Sequence, residues 1–300
     1  MQTKNHATAS LQHRFYKKLC FLLILGAMVA ATFTACTPVP VQPSDVSSSA
    51  PAESSSSMDV EDYLPEAPPY GEPKAPSKEI ADKLAQTFKV GKTYAWLTVP
   101  NTTVDNAVMY SPENNDVYLN KRVDYDGNWN ESGLIFADFR DKLGDRTELS
   151  RNTVVYGHNI ATSGSNNGSR FSQLLKYADL DFAKQNQFIT FSTPDDEMVW
   201  QVFATFYTDV NFYYAEPNPT DDELMYIVSE AGQRTENFFD VDVSPQDKIL
   251  TLSTCTYKYG RWNTDQRFVV MAKLLAPDST PSPAEVIKNE TPKQPSFDKD

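Results

Sequence analysis

Ile249-Leu-Thr-Leu-Ser-Thr-Cys255 is the stretch on which the fold turns. It is short, apolar and rich in β-branched residues, and it follows the polar turn signals Ser244-Pro-Gln-Asp247. That combination predicts a buried strand over Lys248–Ser253 with a cysteine just past its end. Working outward, Arg267-Phe-Val-Val-Met-Ala272 opens a second strand, Arg267–Leu275, and Thr153–Tyr156 is a third that runs into Gly157-His158-Asn159. Thr93–Val99, Val104–Tyr110, Gly133–Ala137, Phe188–Ser192 and Met198–Thr208 have the same character and are separated by Asn/Asp/Gly/Pro clusters. About eight strands with few long helices predict a mainly β protein, a closed barrel or a sandwich.

Three helical segments interrupt this pattern. Ile80, Leu84 and Phe88 fall at i, i+4 and i+8 behind Ser77, a candidate N-cap. Phe171–Tyr177 is a short turn of helix packing Phe171, Leu174 and Leu175. Thr220-Asp-Asp-Glu223 has the capping-box pattern and starts a helix with Leu224, Ile227 and Val228 on one side, ending near Gly232. The acids 221–223 could suggest a calcium site, but acids in a first turn are accounted for by the helix dipole and the cap.

The chain has 300 residues and a formal net charge of −13, which argues against a nucleic-acid partner, since that requires a basic face. It has three cysteines and three histidines. His6, His13, Cys20 and Cys36 lie in or before the N-terminal apolar segment, so the folded region holds one cysteine, Cys255, and one histidine, His158. A disulfide framework is excluded there, and a Cys/His zinc site nearly so. No metal or cofactor is expected.

Arg14, Lys17 and Lys18 precede the apolar run Leu19–Cys36, so the N-terminus stays inside and the remainder is expected outside the cell, attached to the membrane. Two readings of residues 1–36 stand side by side. One is an uncleaved anchor, since the run is close to the shortest that spans a bilayer. The other is a lipoprotein signal in which Phe33-Thr-Ala-Cys36 resembles a lipobox and Cys36 carries the lipid. Residues 37–77, rich in Ser, Pro, Ala and Glu, cannot bury enough apolar surface to order themselves and are expected to be a spacer. Residues 277–300 have similar composition and are expected to be a disordered tail, leaving 78–276 as the folded domain.

Cys255, His158 and Arg267 each sit at a predicted strand edge, where rigid backbone can present a side chain to a cleft. A thiol is a nucleophile only as thiolate, which a nearby imidazolium or guanidinium favours. A histidine can protonate a leaving amine, and an arginine can stabilise an oxyanion.

These contexts resemble one family, the sortases. Thr251-Leu-Ser-Thr-Cys255 is similar to the sortase T-L-x-T-C motif, Tyr156-Gly-His158-Asn159 to its histidine motif, and Arg267 with Phe-Val-Val-Met-Ala to its arginine strand. Trp96-Leu-Thr-Val, Gly133-Leu-Ile-Phe-Ala-Asp138-Phe-Arg140 and the Phe171…Leu174…Tyr177 helix extend the match across 78–276. Asp138 itself is explained equally well by a structural turn. The T-L-S-T-C form, the N-terminal helix and the helix-bearing insertion at 209–247 most resemble class B. The resemblance implies an eight-stranded β-barrel with that helix between strands six and seven, and a cysteine transpeptidase. Its catalytic residues would be His158, Cys255 and Arg267, with Ser253 and Thr254 lining the substrate cleft. Its partners would be secreted proteins bearing a C-terminal sorting motif, cleaved after threonine, and an amine of a peptidoglycan cross-bridge or a pilin. Two other readings remain open from the residues: a hydrolytic cysteine protease, and a surface lipoprotein with an inert Cys255.

Overall fold

The computed structural model describes residues 70–160, 168–260 and 264–297. The N-terminal apolar run, Cys36 and most of the spacer lie outside them. Eight strands close into a barrel: β1 Ala95–Thr98, β2 Asp105–Met109, β3 Ile135–Ala137, β4 Asn152–Tyr156, β5 Phe188–Ser192, β6 Val199–Thr208, β7 Ile249–Cys255 and β8 Arg267–Leu274. Around the barrel the order is β7-β8-β6-β5-β1-β2-β3-β4, with β4 returning to β7. All eight correspond to strands expected from the sequence.

The strands bury both faces, which is why they read as continuous apolar runs rather than alternating ones. Leu250, Leu252, Phe268, Val270, Val202 and Trp200 belong to one cluster with residues of the other strands. Their alternates Ile249, Val269, Met271, Ala204 and Phe206 pack with Leu224, Ile227 and Ala231. Those last three belong to the helix Asp221–Arg234, which falls between the sixth and seventh strands. Its capping box is complete, with Thr220 and Glu223 each holding the other's backbone N–H. The acids thus do what a first turn asks of them.

Helix α1, Lys78–Leu84, packs Leu84 and Ile80 with Phe88 on Trp96. Ser77 stands at its N-cap without a side-chain bond; its own N–H donates to Glu197 instead, at 2.6 Å. The Phe171–Tyr177 segment is a 3₁₀ helix, Arg170–Ala178, that buries Phe171, Leu174 and Leu175. Two short helices were not legible: α2, Asp116–Leu119, and α3, Leu180–Gln185. The Asp221–Arg234 helix is α4.

One expectation is corrected. Residues after Pro277 are not a structureless tail: Val286–Lys288 pairs antiparallel with Asn237–Phe239, and Val286 is buried in the main core. The run Val-Ile-Lys is too short to show a period, and its partner strand comes from far earlier in the chain.

The chain's entry to and exit from the barrel meet at a buried ion pair. The Arg146 guanidinium grips Asp196 through Nε at 2.7 Å and Nη2 at 2.9 Å. Its remaining donors hold the carbonyls of Tyr70, Leu275 and Glu197.

Candidate active site

Two registers bring the candidate residues to one end of the barrel. β4 and β7 run parallel with Tyr156 beside Ser253, so both strands finish together. β8 runs back antiparallel from the same point, with Arg267 directly opposite Cys255. A cleft of about 180 Å³ opens there, lined by Asn115, Leu119, Phe136, Tyr156, Gly157, His158, Ser253, Thr254, Cys255 and Arg267. His158, Cys255 and Arg267, separated by many residues in sequence, therefore share one wall-to-wall site.

Cys255 is the free cysteine of the described residues and is half-buried. Its backbone is fixed from the histidine side. The Asn159 amide donates to the Cys255 carbonyl at 2.9 Å, and the Ser172 hydroxyl donates to the Asn159 side-chain oxygen at 2.7 Å. Thr254 donates to the Gly157 carbonyl at 2.7 Å, tying β7 to the residue before His158. Thr254 thus has its hydroxyl engaged within the protein, and Ser253 shares a 2.8 Å hydrogen bond with the Tyr214 hydroxyl. Both hydroxyls are engaged within the protein, and the two residues form part of the cleft wall. The Arg267 guanidinium is aimed by the Thr264 and Gln266 carbonyls, at 2.6 and 3.0 Å.

His158 Nε2 lies 2.9 Å from the Leu119 carbonyl. A carbonyl only accepts, so Nε2 carries the proton and the ring's orientation is set by α2. Burial, reinforced by the Arg122 charge, holds the imidazole below its ordinary pKa; the Leu119 bond opposes this. The ring also needs Gly133. That residue has φ +59°, and a Cβ there would lie 2.8 Å from His158 Cδ2 and 3.2 Å from the Lys121 carbonyl. Gly133→Ala is therefore expected to displace the imidazole and lower kcat/KM by about ten- to a hundredfold, as loss of a reactive orientation does. Steady-state kinetics beside a crystal structure of the variant will check it; unchanged activity would mean the ring's position is not critical.

Asp138, fully buried, organises part of the cleft wall. Burial alone would push its carboxyl up, but hydrogen bonds from Arg140, Asn115 and Tyr156 outweigh it and hold the carboxyl low. Asn115 and Tyr156 both line the cleft. Arg140 goes on to the Ala215 carbonyl at 2.7 Å and the Tyr213 hydroxyl at 2.6 Å, so the same carboxylate is linked to the segment between β6 and α4. Asn115, Ser172 and Tyr214 carried no signal in the sequence, since each acts through a partner more than ten residues away.

The Sortase domain family model matches residues 97–275, more than half of the chain. Sortase B of Listeria monocytogenes is 33% identical over 206 residues, covering 66% of this chain and 76% of that protein. A crystal structure of Staphylococcus aureus sortase B superposes with a TM-score of 0.53 at 27% identity, covering 66% of this chain and 86% of that one. A S. aureus sortase B–substrate complex gives a TM-score of 0.54 at 26% identity over 67% of this chain and 85% of that one.

Proposed function

Because this chain belongs to the sortase family of cysteine transpeptidases, with sortase B proteins as its relatives, we propose that it attaches secreted proteins to a surface amine from a membrane-tethered position outside the cell. The observation that carries the proposal is the sharing of one cleft by His158, Cys255 and Arg267. The topology supports the location: basic residues precede the apolar run Leu19–Cys36, and a Ser/Pro-rich spacer follows it. The tether is the apolar run itself or a lipid on Cys36.

In this reading the Cys255 thiolate attacks the carbonyl carbon of a threonine in a C-terminal sorting signal. The Arg267 guanidinium stabilises the oxyanion so formed. As the C–N bond breaks, the departing amine takes a proton from the His158 imidazolium, leaving a thioester on Cys255. An amine from a peptidoglycan cross-bridge or a pilin then attacks the thioester. It gives its proton to His158, and the thiolate leaves. One amide is exchanged for another, so no energy source is consumed.

The test is incubation of the protein with fluorogenic pentapeptides of the N-P-x-T-N, L-P-x-T-G and S-P-x-T-G types, with and without an amine acceptor, followed by intact-mass analysis. A thioester adduct on Cys255 and an acceptor-dependent ligated product are expected. Hydrolysis unaffected by any amine would make the protein a protease, and no cleavage of any such peptide would sink the proposal.

The depressed His158 pKa sets a pH signature. The reaction needs a charged imidazole, which is lost as pH rises through the histidine pKa, so the limb of kcat/KM that follows the histidine lies below the ordinary value near 6.5. Arg122→Gln removes a positive charge that disfavours the imidazolium, which raises the histidine pKa and moves that limb to higher pH. A limb that stays in place or moves down would show that Arg122 does not act on His158.

A further inference from the structure

Residues 286–297 lie beyond the sortase domain, whose match ends at residue 275, and they are built onto α4, the strand after it and the segment that follows Cys255. After the Val286–Lys288 strand, Asn289 donates to the Thr235 carbonyl at 2.8 Å through its side chain. The Lys293 N–H donates to the Gln233 carbonyl at 2.9 Å, and its ammonium pairs with Glu230 at 2.7 Å. The segment is thus anchored along the C-terminal end of α4 and the strand that follows it. It then crosses toward the site. The Ser296 N–H donates to Asp209 at 3.1 Å, at the point where the chain leaves β6. Gln294 accepts from the Tyr259 hydroxyl at 2.7 Å, and the Phe297 ring sits 5.4 Å from the Tyr259 ring.

Tyr259 leads directly to the arginine. Its N–H donates to the Gln266 side-chain oxygen at 2.9 Å, and the Gln266 amide donates to the Gly260 carbonyl. Gln266 is fully buried. Its carbonyl accepts from the Thr256 N–H, next to Cys255, at 3.3 Å and from the Arg267 guanidinium at 3.0 Å. A loop that joins two strands is free to shift unless something outside it holds it. Tyr257 is held by the Asn159 carbonyl and Lys258 by Glu236 and the Tyr207 ring, and the hold on Tyr259 from the C-terminal segment is the pair Gln294 and Phe297.

We propose that residues 286–297 form a strap that fixes Tyr259 and, through it, Gln266 between β7 and β8, so that Gln294, Phe297 and Tyr259 are positioning residues for Arg267. They touch no reacting atom. They act by holding Gln266, which aims the guanidinium across from the thiol.

This inference rests on the transpeptidase reading for one of its measurements and is independent of it for the other. The double variant Gln294→Ala/Phe297→Ala and the mild variant Tyr259→Phe, which loses only the bond to Gln294, are compared with wild type well below their melting temperatures. The measurements are kcat and KM on a cleaved sorting peptide, and the rate of Cys255 alkylation by iodoacetamide. The double variant is expected to lose about tenfold in kcat and a comparable factor in alkylation rate, the scale of coupling through a packed network. KM should stay within about twofold, because the binding walls are untouched. Tyr259→Phe should show smaller losses in the same two quantities, about threefold, and Phe297→Tyr, which keeps the ring contact, should retain wild-type rates. Were the melting temperature to fall while kcat and alkylation held, the segment would be a stabiliser only and the proposal wrong. If the double variant fails to fold, Tyr259→Phe alone decides the matter. If wild type cleaves no peptide, the transpeptidase reading fails, and the alkylation rates still judge the strap.

Discussion

Cys255→Ala is expected to abolish acyl-enzyme formation and to lower peptide turnover by on the order of 10⁴-fold or more, since the nucleophile of a covalent route has no substitute. The argument begins with the cleft. Among its lining residues, Cys255 is the only side chain that forms an effective nucleophile near neutral pH: Ser253 shares its hydroxyl hydrogen bond with Tyr214 and Thr254 donates to Gly157. His158 follows two residues past the end of the neighbouring strand β4 and Arg267 stands directly opposite, so the thiol shares its cleft with an acid and a cation and has no rival. The substitution should leave the fold intact. Cys255 stands half-buried at the end of β7, and the bonds that hold it come from its carbonyl and its neighbours' hydroxyls, which alanine keeps. A stability change within about 0.5 kcal/mol is expected, as for substitutions away from buried networks. Intact-mass spectra and kinetics, with thermal unfolding as the control, decide it. Turnover above about one per cent of wild type in a well-folded variant would assign the chemistry to another group, and the sortase mechanism would not apply to this cleft.

The residues of that cleft differ in how far the sequence announced them. His158, Cys255 and Arg267 could be singled out because each adjoins a strand buried on both faces, and such strands are written as unbroken apolar runs. The same property made all eight barrel strands legible, from Ala95–Thr98 to Arg267–Leu274. The supporting residues were not legible. Asn159 and Ser172 look like ordinary loop polars, and only the fold sets the first against the Cys255 carbonyl and the second against the first. The C-terminal segment failed for a related reason. Its prolines and lack of period signal disorder, and a three-residue strand gains its order from Asn237–Phe239 rather than from its own composition. Local pattern reports what a segment buries; it does not report a polar partner supplied from a distance.

Arg146 carries that lesson to its largest energetic consequence. It lies in the polar stretch Asp141–Arg151, where an arginine would be taken for a surface group, yet it is completely buried and so is Asp196. All five guanidinium N–H groups are used, on the Asp196 carboxylate and the carbonyls of Tyr70, Leu275 and Glu197. Asp196 also accepts from the backbone of Arg146 and of Lys74, both at 2.9 Å. Arg146→Met removes the cation, so three carbonyls lose that donor and the buried carboxylate keeps only its two backbone N–H bonds. The expected cost is about 3–5 kcal/mol, the scale for stranding one member of a buried pair. Because the pair joins the segment before α1 to the end of β8, the loss should appear as a cooperative drop in chemical-denaturation midpoint and not as local fraying. The companion variant Arg146→Met/Asp196→Leu distinguishes the pair's net worth from the penalty of breaking it. An apolar pair of similar volume fills the space without an orphaned charge, so the double variant should recover most of the stability that the single one loses. If the double variant is as unstable as the single, the carbonyl contacts of Arg146, rather than its charge pairing, hold the two chain ends. If the single variant costs less than about 1 kcal/mol, neither does, and the barrel closes without the clip.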